Sequence, residues 1–336
     1  MATIRDVAKY AGVSVATVSR VLNQLEGVSE QSKIKVNEAI LALKYTPFHD
    51  SINTSHYTVM AVIPHIITDF QSRLLDALQW EAKELDMELL ISICHNDDSI
   101  FEMCVSRLQK RSVHALIMLG TNKSAVELNA LAANYPICIC ADYIEGINFL
   151  SFVSDIYHGT YDAVTEVIKK GFHKLAMIST ATRAWSSLQK EAAYRQALED
   201  NGIPVRPEYI YYGHFTQSGE VAYRYFEGLT DPPNGIFAIS DYIASTIVIP
   251  IIKNRHHIGV DYALLGFDDT MYSTISRVPI TTVAQDLDTI GRTTMQKISE
   301  VLHHPSQKRS GTIVVPSIVK LRESTGHAEI KDYKYI

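Results

Sequence analysis

The stretch Ala11-Gly-Val-Ser-Val-Ala-Thr-Val-Ser-Arg-Val-Leu22 decides how this chain begins. Gly12 interrupts the helical pattern before it, because glycine enters a left-handed turn at little steric cost. Ser14 follows at a position where a hydroxyl can cap a new helix. The apolar side chains of that helix recur at helical spacing, at Val18, Val21 and Leu22. The stretch therefore predicts two short helices joined by a tight turn.

The flanking residues extend this pattern to a unit of three helices. Thr3 and Asp6 have the spacing of a capping box at the start of the first helix. The apolar face of that helix consists of Ile4, Val7, Ala8 and Ala11. A third helix is predicted from about Ser29 to Lys44, with Val36, Ile40 and Leu43 on its apolar face.

The outward face of the second helix suits DNA. The face is small and nearly uncharged at its start, and the major groove admits one helix. Arg20 could donate two hydrogen bonds to a guanine edge, while Val15 and Ala16 touch base edges. Hydroxyls near helix starts can bind phosphate, and these are Thr3, Ser14, Thr17 and Ser29. The pattern also leaves open a three-helix cap that binds nothing.

Length and composition describe a globular protein of two or three units. The chain has 336 residues, of which 46% are hydrophobic and 20% charged. No apolar run reaches the 18 or so residues of a membrane span, and the first residues are no signal peptide, so we expect a cytoplasmic protein without membrane contact. The spacing of the four cysteines matches neither a zinc site nor a redox pair, and Cys138 and Cys140 are predicted core thiols. No metal site or cofactor is predicted.

The net charge of −6 is unevenly distributed. Residues 1–50 carry six basic and five acidic side chains, a net charge of +1, which leaves −7 on the rest. DNA would therefore meet the near-neutral end of the chain and be repelled by the acidic body. Helix N-termini and specific contacts must supply more of the DNA affinity than bulk charge does.

From Tyr57 onward, short apolar strands alternate with amphipathic helices, which predicts an α/β protein with parallel sheets covered on both faces. A final long helix is expected over Leu287–Leu302. The strands are predicted at Val59–Ile63, Leu89–Ile93, Ala115–Leu119, Pro136–Cys140, Leu175–Ser179, Tyr209–Tyr212, Ile236–Ile239, Ala263–Phe267 and Ile280–Val283.

The first part of the chain, Met1–Asn23, resembles the opening of the lactose/galactose-repressor (LacI/GalR) family almost residue for residue. Gly27-Val-Ser-Glu30 and Tyr45-Thr-Pro47 fall where that family has them, and the resemblance continues to about Gly326. It implies a dimeric transcriptional regulator that binds an approximately palindromic operator. The candidate DNA contacts are completed by Ser19, Asn23 and Tyr45, and by Ile52 and Thr54 in the segment that follows.

The resemblance also implies the domain organisation. A helix-turn-helix head over residues 1–45 and a linker over 46–57 precede a core over 58–326 that is similar to periplasmic binding proteins. The core would hold two doubly wound subdomains, one of about 58–155 plus about 284–313 and the other of about 156–283 plus about 314–326. Residues 327–336 are expected to be a tail.

Polar residues that follow the predicted strands indicate a ligand cleft between the two sheets. Carboxylates and amides there, with an aromatic ring, suit the hydroxyls and the face of a sugar. In the family's pattern Asp268, Ser240 and Lys190 take effector-contacting places, and Asp142 matches the aspartate after the fourth strand of the first half. Phe215 falls near the sugar-stacking aromatic, and Phe70 and Gln285 complete the candidate set. Lys190 replaces an arginine, so a point charge replaces a planar fork. We expect a sugar or glycoside of unspecified kind.

The linker departs from the family. Aligned on Pro47, the chain has Ser51-Ile52-Asn53-Thr54 where the family has Ala-Arg-Ser-Leu, whose leucine enters the minor groove. Three interpretations stay open: a plain linker, a displaced wedge at Ile52 or Phe48, or a segment that folds on an operator with a different centre.

Three functions compete at this point. The first is a ligand-gated repressor of carbohydrate-utilisation genes. The second is a cytoplasmic sugar sensor with weakened DNA binding that signals through a protein partner. An enzyme is not expected, because the chain has none of the common nucleotide-binding or hydrolase motifs. The adjacent Asp268 and Asp269 should also point to opposite sides of an extended segment.

Overall fold

The computed structural model describes residues 4–22, 27–43, 56–182, 184–214, 218–304 and 310–326. The chain divides into two compact units, Met1–His56 and Tyr57–Ile336. The predicted tail lies outside the described residues, as does the predicted linker apart from His56 and Tyr57.

The first unit is the predicted three-helix head. Its helices are α1 (Ile4–Ala11), α2 (Val15–Leu22) and α3 (Glu30–Ala42). Their shared core buries Val7, Ala8, Ala11, Val18, Val36 and Ala39. Gly12 has a φ of +64°, which confirms the predicted left-handed turn between α1 and α2. The Ser14 hydroxyl accepts a hydrogen bond from the Thr17 amide at 3.1 Å, so the predicted helix cap is confirmed.

The second unit alternates strands and helices along the chain. Its elements are β1 (Tyr57–Ile63), α4 (Asp69–Glu84), β2 (Met87–Ile93), α5 (Asp98–Gln109), β3 (Ala115–Met118), α6 (Ala125–Ala132), β4 (Ile137–Cys140), β5 (Leu150–Ser154), α7 (Ile156–Lys169), β6 (Leu175–Thr180), α8 (Trp185–Asp200), β7 (Ile210–Gly213), α9 (Ser218–Glu227), β8 (Gly235–Ala238), α10 (Asp241–Lys253), β9 (Ala263–Leu265), α11 (Met271–Ile275), β10 (Thr282–Gln285), α12 (Leu287–His303), β11 (Gly311–Val315) and β12 (Ser317–Lys320).

The larger sheet has six parallel strands in the order β11-β5-β4-β3-β1-β2. Helices α4 and α12 bury apolar side chains against one face of this sheet, and α5 packs on the other. Cys138 and Cys140 are free thiols buried in β4. Both face one side of the sheet, and their neighbours Ile137 and Ile139 face the other. The prediction that they are core thiols is therefore confirmed.

The smaller sheet has four parallel strands in the order β7-β6-β8-β9. Helices α7 to α10 contribute buried residues to its single core. Strands β10 and β12 form an antiparallel pair. Both come after the smaller sheet in the chain, β10 before α12 and β12 after it. Because strands within each sheet are parallel, their carboxyl ends lie together at one edge, where open α/β sheets bind ligands.

Four elements were not predicted from the sequence: β5, α11, β11 and β12. Strand β5 is fully buried but carries Ser151 and Ser154, which interrupt its apolar run. Strands β11 and β12 lie half exposed, so their hydropathy is weak. The predicted strand Ile280–Val283 begins two residues later, at Thr282, because the Ile280 amide bonds instead to the Ser273 carbonyl at 2.8 Å.

The close approach of α12 to α4 depends on Gly291. A Cβ atom on Gly291 would lie 2.7 Å from Ala77 Cβ and 2.9 Å from the Ala77 carbonyl carbon. We therefore expect Gly291→Ala to lower the free energy of unfolding by about 1–3 kcal/mol through overpacking. Urea unfolding followed by tryptophan fluorescence measures this, since Trp80 lies on α4.

Gly228→Ala is the matched control for this substitution. The nearest neighbour of a Cβ there would be the Tyr225 carbonyl oxygen at 3.4 Å, and Gly228 does not have a positive φ. Equal midpoints for the two variants would contradict the importance of the α4–α12 approach.

Candidate DNA-binding face and effector cleft

The outward face of α2 presents small, accessible side chains. Val15 is 42% exposed, and Ala16 and Arg20 are also exposed, whereas Thr17 and Ser19 are half-buried. The Ser14 and Thr17 hydroxyls lie 2.8 Å apart at the start of the helix. This face is narrow enough to enter a groove, with one arginine near its far end.

The start of α3 is built in the same way. The Ser29 hydroxyl accepts a hydrogen bond from the Ser32 amide at 3.3 Å, which caps the helix. Arg20 lies beside the turn before α3, since a Cβ on Gly27 would be 3.9 Å from the Arg20 guanidinium. The other predicted contacts lie outside the described residues, namely Thr3, Asn23, Tyr45, Ile52 and Thr54.

In the core, a cavity of about 320 Å³ lies at the carboxyl ends of the strands, between the start of α4 and the start of α8. Four of the predicted effector contacts line this main cavity: Phe70, Lys190, Asp268 and Gln285. Its other walls are largely apolar, with hydroxyls at Thr180, Thr182, Ser186 and Ser187. A mostly apolar pocket with a few convergent polar groups is typical of a small-molecule site.

Lys190 supplies the positive charge of the main cavity. Its Nζ donates to the Ile239 carbonyl at 2.8 Å and lies 4.0 Å from Asp268 Oδ1. The same atom lies 3.7 Å from the centre of the Phe267 ring, a cation–π distance. Burial lowers the pKa of Lys190, and the nearby Asp268 partly offsets that shift.

Asp268 faces Lys190 from a strained backbone position. Its φ is +99°, and its Oδ1 accepts a hydrogen bond from Gln285 Nε2 at 2.6 Å. Burial raises the pKa of Asp268, while Lys190 and Gln285 oppose the rise. Positive φ at a residue other than glycine is uncommon, and strained backbone positions of this kind cluster at functional sites.

Asp269 points away from the cavity, as predicted, but for another reason. The two aspartates do not lie on an extended segment, because both have left-handed φ values, +99° and +52°. Asp269 forms ion pairs with Lys320 at 2.7 Å and Arg322 at 2.5 Å. These partners hold the pKa of Asp269 below its usual value, although burial opposes the shift.

Two other predicted contacts do not line the main cavity. Asp142 accepts a hydrogen bond from the Tyr143 amide at 2.8 Å, and burial raises its pKa. Ser240 caps α10, with its hydroxyl accepting from the Ile243 amide at 3.3 Å. Ser240 lines instead a smaller lobe beside the main cavity. Phe215 lies outside the described residues.

A buried carboxylate behind the cleft was not among the predicted effector contacts. Asp241 is completely buried at the first turn of α10. It accepts hydrogen bonds from Thr282 Oγ1 at 2.6 Å, from the Thr270 amide at 2.7 Å and from Thr270 Oγ1 at 3.1 Å. Gly266 packs against it so closely that any Cβ there would clash. In the sequence, the residue that could have indicated this close approach is Gly266, two residues before Asp268.

Contacts between α4 and the loop after β9 were also missed. Arg73 donates to the Asp269 carbonyl at 2.8 Å, and Asp69 Oδ2 accepts from the Met271 amide at 3.2 Å. A capping box formed by Thr68 and Gln71 fixes the first turn of α4, from which Asp69 and Arg73 project. The larger-sheet helix α4 is therefore bonded directly to the segment that carries Asp268.

Family models match both units of this chain. The model described as bacterial regulatory proteins, lacI family, matches residues 3–47, and that of the periplasmic binding protein-like domain matches residues 164–325. The catabolite control protein A of Priestia megaterium is 28% identical over 330 residues, which cover 96% of this chain and 99% of that protein. The chain belongs to the lacI family of bacterial regulatory proteins.

Solved structures share the fold of this lacI-family protein. A transcriptional regulator CelR–cellobiose complex aligns with a TM-score of 0.71 at 22% identity, over 96% of this chain and all of that one. The lac repressor dimer bound to operator and the anti-inducer ONPF aligns with a TM-score of 0.71 at 23% identity, over 96% and 99% of the two chains. The predicted fold class and family are confirmed.

The family assignment makes this protein a DNA-binding transcriptional regulator and not an enzyme. Within the described residues, no group of three or more metal-ligating side chains is close enough to hold an ion. No helix among those residues combines the length and the hydropathy that a membrane crossing requires.

Asp241 should make the stability of the core depend on pH. Burial raises its pKa to about 7, so the folded state holds a proton that the unfolded chain releases near its ordinary value of 3.8. Stability from this proton is present at low pH and is lost as pH rises toward 7. The expected loss, at most roughly 4 kcal/mol, should be absent in Asp241→Asn.

The measurement is the difference in free energy of unfolding between the wild type and Asp241→Asn, taken from about pH 4 to about pH 8 by urea titration. As pH rises, the free energy of unfolding of the wild type should fall relative to that of Asp241→Asn. A difference that stays constant over this interval would show that Asp241 is ionised throughout.

Proposed function

We propose that this regulator is a sequence-specific repressor of carbohydrate-utilisation genes, gated by a sugar-like effector in the main cavity. The observation that carries this proposal is the set Lys190, Asp268 and Gln285, which converge on a largely apolar cavity between the two sheets. Such a set can donate to and accept from neighbouring hydroxyl groups, while Phe70 offers an apolar face. We place the protein in the cytoplasm, together with its operator.

Effector binding would change the relation between the two sheets. Phe70 lies on α4 of the larger sheet, whereas Lys190 and Asp268 belong to the smaller-sheet side. A ligand that contacts both favours the arrangement that brings them together, and allostery requires only that its affinity differ between two arrangements. The bonds from Asp69 and Arg73 to the loop after β9 lie beside the cavity and would form or break with that change.

A homodimer with two heads would bind an approximately palindromic operator. In the head, Arg20 is proposed to contact a guanine edge, with Val15 and Ala16 against neighbouring bases. Ser14, Thr17, Ser19 and Ser29 would contact phosphates through hydroxyls and helix N-termini. Thr3, Asn23 and Tyr45 complete the proposed contacts. The lac repressor, similar in fold, was solved as a dimer bound to operator, and the CelR regulator with cellobiose.

Selection of bound sequences from a random DNA pool tests the DNA part. The wild type should return an approximate palindrome, and Arg20→Ala should relax one base position in each half and weaken binding by about tenfold to a hundredfold. Arg292→Ala, an exposed arginine of α12, is the matched control and should select the same palindrome as the wild type. Equal selectivity of Arg20→Ala and the wild type would exclude a base contact by Arg20.

The same selection with Thr54→Leu separates repressor from sensor. The sensor hypothesis rests on the linker, where Thr54 stands in place of the family's leucine wedge. If Thr54→Leu selects an operator and the wild type selects none, the linker has lost its DNA role and the sensor hypothesis is favoured. If the wild type selects a palindrome whose centre differs from that of Thr54→Leu, the linker is an altered reader of the operator centre.

Lys190→Met should remove the response to effector. Methionine keeps the length of the side chain but cannot donate a hydrogen bond, so we expect at least about a tenfold loss of effector affinity. Operator binding without effector should persist, as measured by fluorescence anisotropy with and without a panel of sugars. Lys169→Met, an exposed lysine of α7, is the control. An unchanged response of Lys190→Met would place the effector elsewhere.

A further inference from the structure

A side lobe of about 110 Å³ opens beside the main cavity, and Phe70 and Asp268 line both. Three carboxyl groups lie around this lobe, those of Asp69, Asp241 and Asp268. Its aromatic side chains are Phe70, Tyr242 and Tyr272. The lobe is too small for a sugar ring but large enough for one substituent of a ring that lies in the main cavity.

Two carboxylate oxygens at the lobe have no donor. Asp69 uses Oδ2 for the Met271 amide, and Asp268 uses Oδ1 for Gln285 Nε2. Among the described residues, nothing donates a hydrogen bond to Asp69 Oδ1 or to Asp268 Oδ2. Asp268 keeps 15% of its side chain exposed, so a donor that enters the cleft can reach it. A ligand group rich in donors would satisfy both oxygens.

The described residues that line the lobe include three acidic side chains and no basic one, which also favours a ligand rich in donors. Lys190 is the one cation among the described residues that line either cavity, and it lines the main cavity alone. Asp241 lies behind the lobe wall, and the neighbouring Asp268 adds to the effect of burial in raising its pKa. Lys190 already lies 4.0 Å from Asp268, so Asp69 is a carboxylate at the lobe that has no ion-pair partner among the described residues, and it would attract a positive group there.

The aromatic walls favour the same kind of ligand. The rings of Tyr242 and Tyr272 meet edge to face, with their centres 5.3 Å apart at 76°. Aromatic faces attract cations, and an ammonium group combines three hydrogen-bond donors with a positive charge. An acidic group such as a sugar carboxylate or phosphate would meet Asp69 and Asp268 instead and be repelled.

We propose that the effector is an amino sugar or an amino-bearing glycoside, whose ammonium group occupies the side lobe between Asp69 and Asp268. The sugar ring lies in the main cavity between Phe70 and Lys190. This inference rests on the proposed function, because it assumes a sugar-like effector in this cleft. The inference adds the charge of the ligand and the place in the cleft where that charge is bound.

The test compares matched sugars on the full chain. Calorimetry near neutral pH measures affinity for glucose and galactose, for derivatives with an amino group at different ring carbons, and for the acetamido forms, which keep the nitrogen but lose the charge. At least one amino sugar should bind about tenfold to a hundredfold more tightly than both its parent and its acetamido form. Glucuronate, with a negative charge, should bind most weakly.

Asp69→Asn then tests whether the Asp69 carboxylate binds the ammonium group. Asparagine keeps an acceptor for the Met271 amide but loses the negative charge, so the preference for the amino sugar should fall about tenfold. Asp76→Asn is the matched control, since Asp76 is exposed and belongs to the same helix, α4. Circular dichroism confirms that both variants fold.

The outcomes separate this inference from the proposed function. If the parent sugars bind and release operator but no amino sugar binds more tightly, the inference is overturned and the sugar effector stands. Tighter binding of glucuronate, or an equal effect of Asp69→Asn and Asp76→Asn, would overturn it as well. If no sugar of any charge binds while operator binding persists, the sugar effector itself is wrong.

Discussion

The buried carboxylate of Asp241 joins the elements that form the candidate effector cleft. It lies at the start of α10 and accepts hydrogen bonds from Thr270, in the loop after β9, and from Thr282, in β10. Because Gly266 has no side chain, that loop passes directly over the carboxylate. The position of Asp268, and with it the geometry of Lys190 and Gln285, depends on this joint. An unpaired buried carboxylate would be costly, so the loop has one favourable place to lie.

The sequence predicted the head and most of the core because their signals are local. Gly12 and Ser14 mark a turn and a cap through their own chemistry, and β1 to β4 are short runs of apolar residues. Strand β5 escaped prediction because two serines interrupt its apolar run, and Ser151 finds a partner, the Asp142 carbonyl, only in the folded chain. The half-exposed β11 and β12 acquire their strand character only from partners more than 30 residues away.

The same distinction applies to the cleft. Positions after strands placed Asp268 and Gln285 at the edge that lines the main cavity, since parallel strands end together, whereas Phe70 and Lys190 were taken from the resemblance to the family. A position after a strand does not give the direction of a side chain, which is why Asp142 and Ser240 follow strands yet do not line the main cavity. The bonds of Asp69 and Arg73 join residues about 200 positions apart, so no local pattern could reveal them.

The order of strands has a consequence for how the protein is made. The smaller sheet is complete once Leu265 has been synthesised, whereas the larger sheet waits for β11 at Gly311–Val315 and for α12 to cover α4. During synthesis, the edge of β5 and the apolar face of α4 therefore stay uncovered while the later half of the chain already folds. The subdomain that begins first finishes last, and until then it exposes a sheet edge and an apolar helix face, two features that promote aggregation.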